Sequence, residues 1–319
     1  MSDNLNKKVL LIGTTQMALD HLSVLMALGC ITTVVGRGQQ NADWFEKESG
    51  VKPFVGGIDL FFEQQNAHNF DAAIIAVGVE KLAEVTKSLM NKGLLNILLE
   101  KPGGLNKSEL KDLAKSAAVA KANIVLGYNR RFYSSVLEAE KIIAQDGGIT
   151  SFNFEFTEWG HVIEKTNNIA IVKQNWFLAN SSHPVDLAFF LGGKPAQMKC
   201  FSAGKLAWHD KSVFQGAGIS DKGILFSYSA NWDAPGRWVV EVLTKEHRLY
   251  FKPMEGLQIQ KKGSVAVNPV EIDNSLDTQF KAGLYLQAKA FLTGDYSRFP
   301  NISEQAEMSV HYDYIVNGN

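Results

Sequence analysis

The segment Gly13-Thr14-Thr15-Gln16-Met17-Ala18 lies between an apolar run and a helical pattern. A dinucleotide-binding fold places its Gly-x-Gly-x-x-Gly turn at such a junction. The chemistry of that turn is phosphate binding: the glycines let the backbone turn tightly and approach a pyrophosphate, which rests on the amides of a helix N-terminus. Gly13 fills the first place. Ala18 fills the third, where alanine still lets helix and strand pack closely. Thr15 is the departure, because a side chain at the second place either pushes the pyrophosphate away or hydrogen-bonds it. An ordinary strand–helix turn with no ligand is the competing reading of this segment alone. The next apolar run ends Val34-Val35-Gly36-Arg37. NAD-preferring domains carry an acid near this point to accept from the ribose hydroxyls. Here an arginine follows instead, and a guanidinium pairs bidentately with a 2′-phosphate and stacks on adenine. That tilts the expected cofactor toward NADP over NAD, the alternative being a solvated surface arginine.

These residues need a strand–turn–helix frame, and the first part of the chain has one. Apolar runs predict strands over Val9–Ile12, Ile31–Val35, Asp71–Val77, Asn96–Leu99 and Asn123–Leu126, with a short one at Val51–Phe54. Amphipathic spacing predicts helices over Gln16–Leu28, Asn41–Glu48, Leu82–Met90 and Lys107–Ala120. Strand–helix alternation means parallel strands with right-handed crossovers, and so a doubly wound α/β domain over residues 1–127. Residues 128–319 have a different rhythm. Helices are predicted over Phe132–Ile143, Pro184–Leu191 and Asp277–Leu292, and a strand over Thr150–Glu158. Six more strands follow one another with short turns: Gln197–Ser202, Ser212–Ile219, Gly223–Asn231, Trp238–Thr244, Arg248–Lys252 and Gly256–Lys261. This is an α+β domain with a large, mostly antiparallel open sheet. If apolar, the exposed face of that sheet favours a homo-oligomer, a dimer or tetramer.

A length of 319 residues suits two domains, and 45% apolar with 20% charged residues is the globular range. A formal net charge of −1 gives no global field for nucleic acid or a membrane surface, so the expected partner is a small molecule. Cys30 and Cys200 are expected as free thiols in a reducing, cytoplasmic setting. Neither belongs to a Cys/His cluster, and no metal is expected. Met1–Lys8 is polar and lacks a signal core. No stretch approaches the ~20 apolar residues that span a bilayer.

Glu100-Lys101-Pro102 follows the fifth predicted strand, and Gly127-Tyr128-Asn129-Arg130-Arg131-Phe132 follows the sixth. His183-Pro184-Val185-Asp186-Leu187 comes later. In order with the Gly13 turn and the strand Asp71–Val77, these motifs make the chain resemble the Gfo/Idh/MocA oxidoreductases over nearly its whole length. The resemblance implies NAD(P) on the first domain and a sugar, polyol or sugar nucleotide in a cleft beside the second domain's sheet. Hydride would pass between the nicotinamide and a carbinol carbon. It assigns the cofactor to Gly13, Thr14, Thr15, Gln16, Met17, Gly36, Arg37, Ala76, Val77, Gly78, Glu100 and Lys101. It makes Lys101 a catalytic contact to substrate and nicotinamide ribose, and His183 the proton donor or acceptor. Tyr128, Asn129, Arg130, Trp159, Trp176 and Asn180 join Lys101 and His183 on the substrate side, with Glu158 and His161 nearby. The residue types suit the reaction, since carbinol oxidation needs a base for the hydroxyl proton and a cation beside the developing alkoxide. The family often places an aspartate four residues before the histidine to orient it. Here that position is Ala179. Ser181 or Ser182 would cap the helix of His183, and Asp186, one turn on, is a candidate partner for its ring.

The same scaffold accommodates a non-catalytic sensor or regulator that binds nucleotide or sugar, which the missing second glycine and Ala179 favour. It also accommodates a different redox-assisted reaction, such as elimination or glycoside cleavage. Fold does not choose among these, because chemistry resides in the site.

Overall fold

The computed structural model describes residues 4–319, so the first three residues of the polar Met1–Lys8 stretch lie outside the described residues. The chain divides into two compact units, the first running through Asn129 and resuming over Gln279–Glu307. Its elements are β1 (Lys8–Ile12), α1 (Gln16–Ala27), β2 (Ile31–Gly36), α2 (Gln39–Ser49), β3 (Phe54–Val55), α3 (Gly57–Gln64), β4 (Ala72–Ile75), α4 (Leu82–Asn91), β5 (Asn96–Leu99), α5 (Lys107–Ala120) and β6 (Asn123–Leu126). The six strands are parallel, in the order β3-β2-β1-β4-β5-β6. Val9, Leu10, Leu11, Ile74 and Leu99 are all fully buried. Strands that are apolar on both faces are what a sheet covered by helices on both sides requires. The strand order reverses between β1 and β4, the crevice where doubly wound folds bind ligands. Register brings Ile12 beside Val35 and Ile75, so Gly13, Gly36 and Ala76 leave the sheet side by side.

The second unit comprises Arg130–Thr278 with Met308–Asn319. It begins with α6 (Ser134–Gln145), β7 (Ser151–Glu155), α7 (Gly160–Glu164), α8 (Ala170–Gln174), a π-helical turn over Phe177–Ser181 and α9 (Ser182–Gly192). The strands β8 (Pro195–Ala203), β9 (Val213–Ser220), β10 (Leu225–Asn231), β11 (Val239–Leu243), β12 (His247–Phe251), β13 (Gln258–Lys261) and β14 (Val267–Pro269) follow, and then the short α10 (Ser275–Gln279). The eight-stranded sheet runs β14-β13-β12-β11-β7-β10-β9-β8. Among the described residues only its β7–β10 pair is parallel. Period-two alternation in β7 buries Phe152 and Phe154, which pack edge-on against Phe189 of α9 at 6.0 and 5.4 Å between centroids. The opposite face is polar where Asn153, Glu155, Gln215, Ser227, Ser229 and Glu241 line a shallow concavity. Its exposed apolar residues, Phe201, Ile219 and Leu225 on β8, β9 and β10 and Val267 on β14, stand toward the two ends of the sheet. The apolar face that would favour an oligomer is therefore only a margin of this sheet.

Two more helices complete the chain, α11 (Leu284–Thr293) and α12 (Ile302–Asn317). The single closing helix predicted over Asp277–Leu292 is broken at Gly283, whose φ of +73° opens α11. α11 packs on α1, and Leu126 donates to Pro300 O at 2.9 Å, so residues 279–307 complete the first unit. Among the described residues no helix is long and apolar enough to cross a membrane.

Candidate functional site

At the nucleotide end, Gly13 has a φ of +129°, and a Cβ there would collide with the Ala76 carbonyl. Only glycine lets the end of β1 lie this close to the end of β4. A Cβ on Gly36 would stand 2.7 Å from the methyl of the buried Thr14. Thr15 is exposed, and its hydroxyl donates to Ala76 O at 3.3 Å. The side chain at the second glycine place is thus turned onto backbone. The start of α1 has no side-chain cap and no acid in its first turn. Its free amides and partial positive charge suit a phosphate. Gln16 is exposed and holds Asp20 at 2.9 Å, and Met17 is half-buried. Arg37 is exposed and makes no ion pair among the described residues. Val77 is half-buried and Gly78 exposed just beyond β4. These residues fit a dinucleotide: a tight turn, open helix amides and an exposed cation just beyond β2.

Glu100 is held from within the first unit. His21 Nε2 lies 2.9 Å from Glu100 Oε1, with the histidine side chain fully buried. Sequence reading did not single out His21, whose place on the inner face of α1 is the only signal for it. Lys101 follows directly, half-buried, and the Lys101–Pro102 peptide is cis. Gln305 of α12 donates to Pro102 O at 3.1 Å and to the Tyr128 hydroxyl at 2.9 Å. Tyr128 is 1% exposed, and Asn129 spends its amide on Ala282 O at 2.9 Å. Both were expected to offer polar tips to substrate. In the structure they are interior groups that tie residues 279–307 to β6, because the returning segment covers them.

In the second unit, His183 is 6% exposed on α9. Neither serine caps its helix: Ser181 has helical φ and ψ, and Ser182 Oγ donates to Leu178 O at 2.8 Å. The π-turn runs straight into α9, so His183 sits inside continuous helical backbone and not at a free helix start. Asp186 is engaged by Arg131 through Nε at 2.8 Å and Nη2 at 2.6 Å, so it is not reserved for the histidine ring. The carboxylate placed among the expected site residues is Glu158, 1% exposed. Its Oε1 accepts from Asn180 Nδ2 at 2.9 Å and Ser181 Oγ at 2.8 Å, and its Oε2 from Arg237 at 3.1 Å. Burial pushes its pKa above the ordinary glutamate value, against the downward pull of Ser181, Arg237 and Asn180. Trp176, also beside Glu158, meets Trp208 edge-to-face at 6.3 Å. Trp238 lies 6.0 Å from the His183 ring. The Arg130 and Arg237 guanidiniums stand 4.8 and 4.6 Å from its centroid. Arg237 is also 4.9 Å from Trp159, whose indole donates to Gly236 O at 3.0 Å. His161 is exposed on α7. The structure thus gathers Arg130, Trp159, Trp176, Asn180 and His183 around Glu158, Arg237 and Trp238. Sequence reading missed Arg237 and Trp238, taking Trp238 only as the start of a strand. The Gly-Arg-Trp step just before β11 was the available signal.

Residues 7–128 match the family model described as GFO_IDH_MocA, an oxidoreductase family with an NAD-binding Rossmann fold. That stretch is the parallel-sheet part of the first unit, and it is similar to the NAD-binding domains of that family. Solved structures extend the likeness in fold over both units. Levoglucosan dehydrogenase, in complex with NADH and levoglucosan, has 16% identity and a TM-score of 0.79, covering 98% of this chain and 96% of that one. UDP-N-acetylglucosamine 3-dehydrogenase GnnA from Acidithiobacillus ferrooxidans has 14% identity and a TM-score of 0.73, covering 97% and 96%. An oxidoreductase from Agrobacterium radiobacter, in complex with NAD+, L-tartaric acid and magnesium, has 12% identity and a TM-score of 0.76, covering 97% and 94%. No curated protein matches the chain in sequence.

Proposed function

We propose that the protein is an NAD(P)-dependent dehydrogenase or reductase acting on the carbinol or carbonyl carbon of a sugar, polyol or sugar nucleotide. The NAD-binding domain over residues 7–128, with Lys101 on the turn that ends its fifth strand, carries this reading. The names of the levoglucosan and UDP-N-acetylglucosamine dehydrogenases support a carbohydrate substrate.

The first turn of α1, with Thr15, Gln16 and Met17, would hold the pyrophosphate. Gly13, Thr14 and Gly36 would allow its approach, and Ala76, Val77 and Gly78 would help to hold the rest of the cofactor. Arg37 would pair with a 2′-phosphate on the adenosine ribose, which would favour NADP modestly over NAD. When bound, the nicotinamide supplies the hydride acceptor or donor. Glu100, fixed by His21, sets the backbone from which Lys101 holds the substrate hydroxyl and stabilises negative charge on its oxygen. His183 takes or returns the hydroxyl proton, since imidazole titrates close to neutral pH. Trp159 and Trp176 offer apolar faces to the sugar, and Asn180 a hydrogen-bonding edge.

The protein works as a homo-oligomer, a dimer or tetramer, through the open sheet of the second unit. Its site is cytoplasmic, consistent with free Cys30 and Cys200. A second reading, a nucleotide- or sugar-binding regulator, is favoured by Thr15 and Ala179. Titration of both cofactors, followed by a turnover screen of sugars and sugar nucleotides, separates the two. Cofactor binding with substrate-dependent formation of reduced cofactor supports the dehydrogenase, and binding without turnover supports the regulator.

A further inference from the structure

The charges around Trp238 do not balance within the second unit. Arg131 is paired with Asp186, and Arg237 with Glu158. Arg130 makes no hydrogen bond or ion pair among the described residues, and its Nε is buried without an acceptor. Glu255 and Glu158 act on it only at longer range, while Arg237 repels it. Tyr133 and Trp238 give it ring faces at 5.8 and 4.8 Å. A ring quadrupole attracts a guanidinium more weakly than a carboxylate does. Burial opposes the charge and lowers the arginine's pKa from its ordinary value, yet an arginine stays protonated in proteins. The indole Nε1 of Trp238 is a second buried donor with no acceptor among the described residues. Two orphaned donors and two guanidiniums therefore share one indole; of the two carboxylates that act on Arg130, Glu158 is paired with Arg237 and Glu255 makes no ion pair with it.

A buried cation without a counter-charge is costly, and so is a buried donor without an acceptor. A group that relieved both would carry negative charge and several acceptor oxygens. Carboxylates and phosphates fit the fork of a guanidinium. A neutral polyol supplies acceptors but no charge. The cluster is open on one side, since Arg237 is 47% and Trp159 49% exposed. It borders the site already described, with His183 6.0 Å from the same indole.

We propose that Arg130, Arg237 and Trp238 form a subsite for an anionic group on the carbohydrate, so that the substrate is an acidic sugar, a sugar phosphate or a nucleoside-diphosphate sugar. This rests on the dehydrogenase reading and narrows its substrate class. The exposed indole of Trp159 lies beside the sugar ring, and the guanidiniums over the buried Trp238 take the carboxylate or phosphate.

The test pairs each anionic ligand with its neutral parent: glucuronate and a hexose phosphate with glucose, and UDP-N-acetylglucosamine with N-acetylglucosamine. Binding is measured calorimetrically with and without NAD(P)H, and reduction of NAD(P)+ is followed in parallel. At least one anionic member should bind about tenfold or more tightly than its parent, by an advantage that shrinks with salt. Arg237→Gln and Arg130→Gln should each cut that ratio by about tenfold, the size of a lost charge-assisted contact. Arg237 is half-exposed, so its variant reads the effect even if Arg130→Gln folds poorly. Preference for glucuronate alone supports a carboxylate ligand; preference for the phosphates alone supports a phosphate ligand. Equal binding within every pair, or a ratio unmoved in Arg237→Gln and in folded Arg130→Gln, overturns the subsite. An arginine-dependent anion preference with no cofactor reduction overturns the dehydrogenase reading and leaves the subsite standing. Turnover of neutral sugars with no anion preference does the reverse.

Discussion

Asp186 and Arg131 form a two-pronged ion pair inside the second unit, Nε to Oδ2 at 2.8 Å and Nη2 to Oδ1 at 2.6 Å. Their side chains are 5% and 13% exposed, and the guanidinium also lies 4.7 Å from the Phe190 ring centroid. The pair fastens the start of the unit to α9, the helix that carries His183. Removing the carboxylate leaves a buried cation, so Asp186→Asn should lose about 3–5 kcal/mol of unfolding free energy. Replacing both partners with apolar residues of similar volume should cost much less. Urea unfolding of the single and double variants checks this; a single variant within 1 kcal/mol of the parent contradicts a buried pair.

Glu158 makes a prediction about pH. Burial raises its folded-state pKa, so the folded protein holds that proton more tightly than the unfolded chain does. The resulting stability is fully present below the unfolded glutamate value of about 4.3, and is lost as pH rises through the raised folded value. The stability difference between the parent and Glu158→Gln should therefore turn against the parent as pH increases across that window. Chemical denaturation at a series of pH values reads it, and a difference that grows in the parent's favour would show the hydrogen bonds outweighing burial.

Arg37 decides the cofactor prediction. Exposed beyond β2 with no acid beside it, it should pair with a 2′-phosphate. Fluorescence titration should find NADPH bound more tightly than NADH, and Arg37→Ala should remove about tenfold or more of that preference. Tighter NADH binding, unaffected by the substitution, contradicts the assignment.

Much of this was legible in the sequence because the first unit is built from local rules. Unbroken apolar strands and amphipathic helices name a doubly wound sheet, and β1, β4, β5 and β6 fall where the runs predict. α3 was not read, because Gly56 and Gly57, with φ of +119° and +82°, disguise its start and only Ile58 and Phe61 mark its buried face. α12 was also passed over, although its capping box was in plain view: Glu304 N donates to Asn301 Oδ1 at 2.9 Å, and Asn301 N to Glu304 Oε2 at 3.0 Å. Site chemistry was less legible because it depends on long-range pairing. No local spacing says that Asp186 belongs to Arg131, that Glu158 collects Asn180, Ser181 and Arg237, or that Gln305 covers Tyr128. The two serines before His183 read as caps only if a helix begins there, and the π-turn over Phe177–Ser181 removes that beginning.

Catalysis by Lys101 and His183 on an NAD(P)-binding scaffold is the centre of the account. The most direct measurement is the steady-state rate of NAD(P)H formation with a panel of sugars, acidic sugars and nucleoside-diphosphate sugars. It is made on the parent and on Lys101→Met and His183→Ala, with melting temperatures alongside. Substrate-dependent, multiple-turnover reduction is expected of the parent, and a loss of at least about 100-fold of each variant, the scale of lost acid–base catalysis. Melting temperatures should stay within a few degrees. A parent that binds cofactor yet reduces it with no member of the panel, or variants that keep near-parent rates, would contradict it.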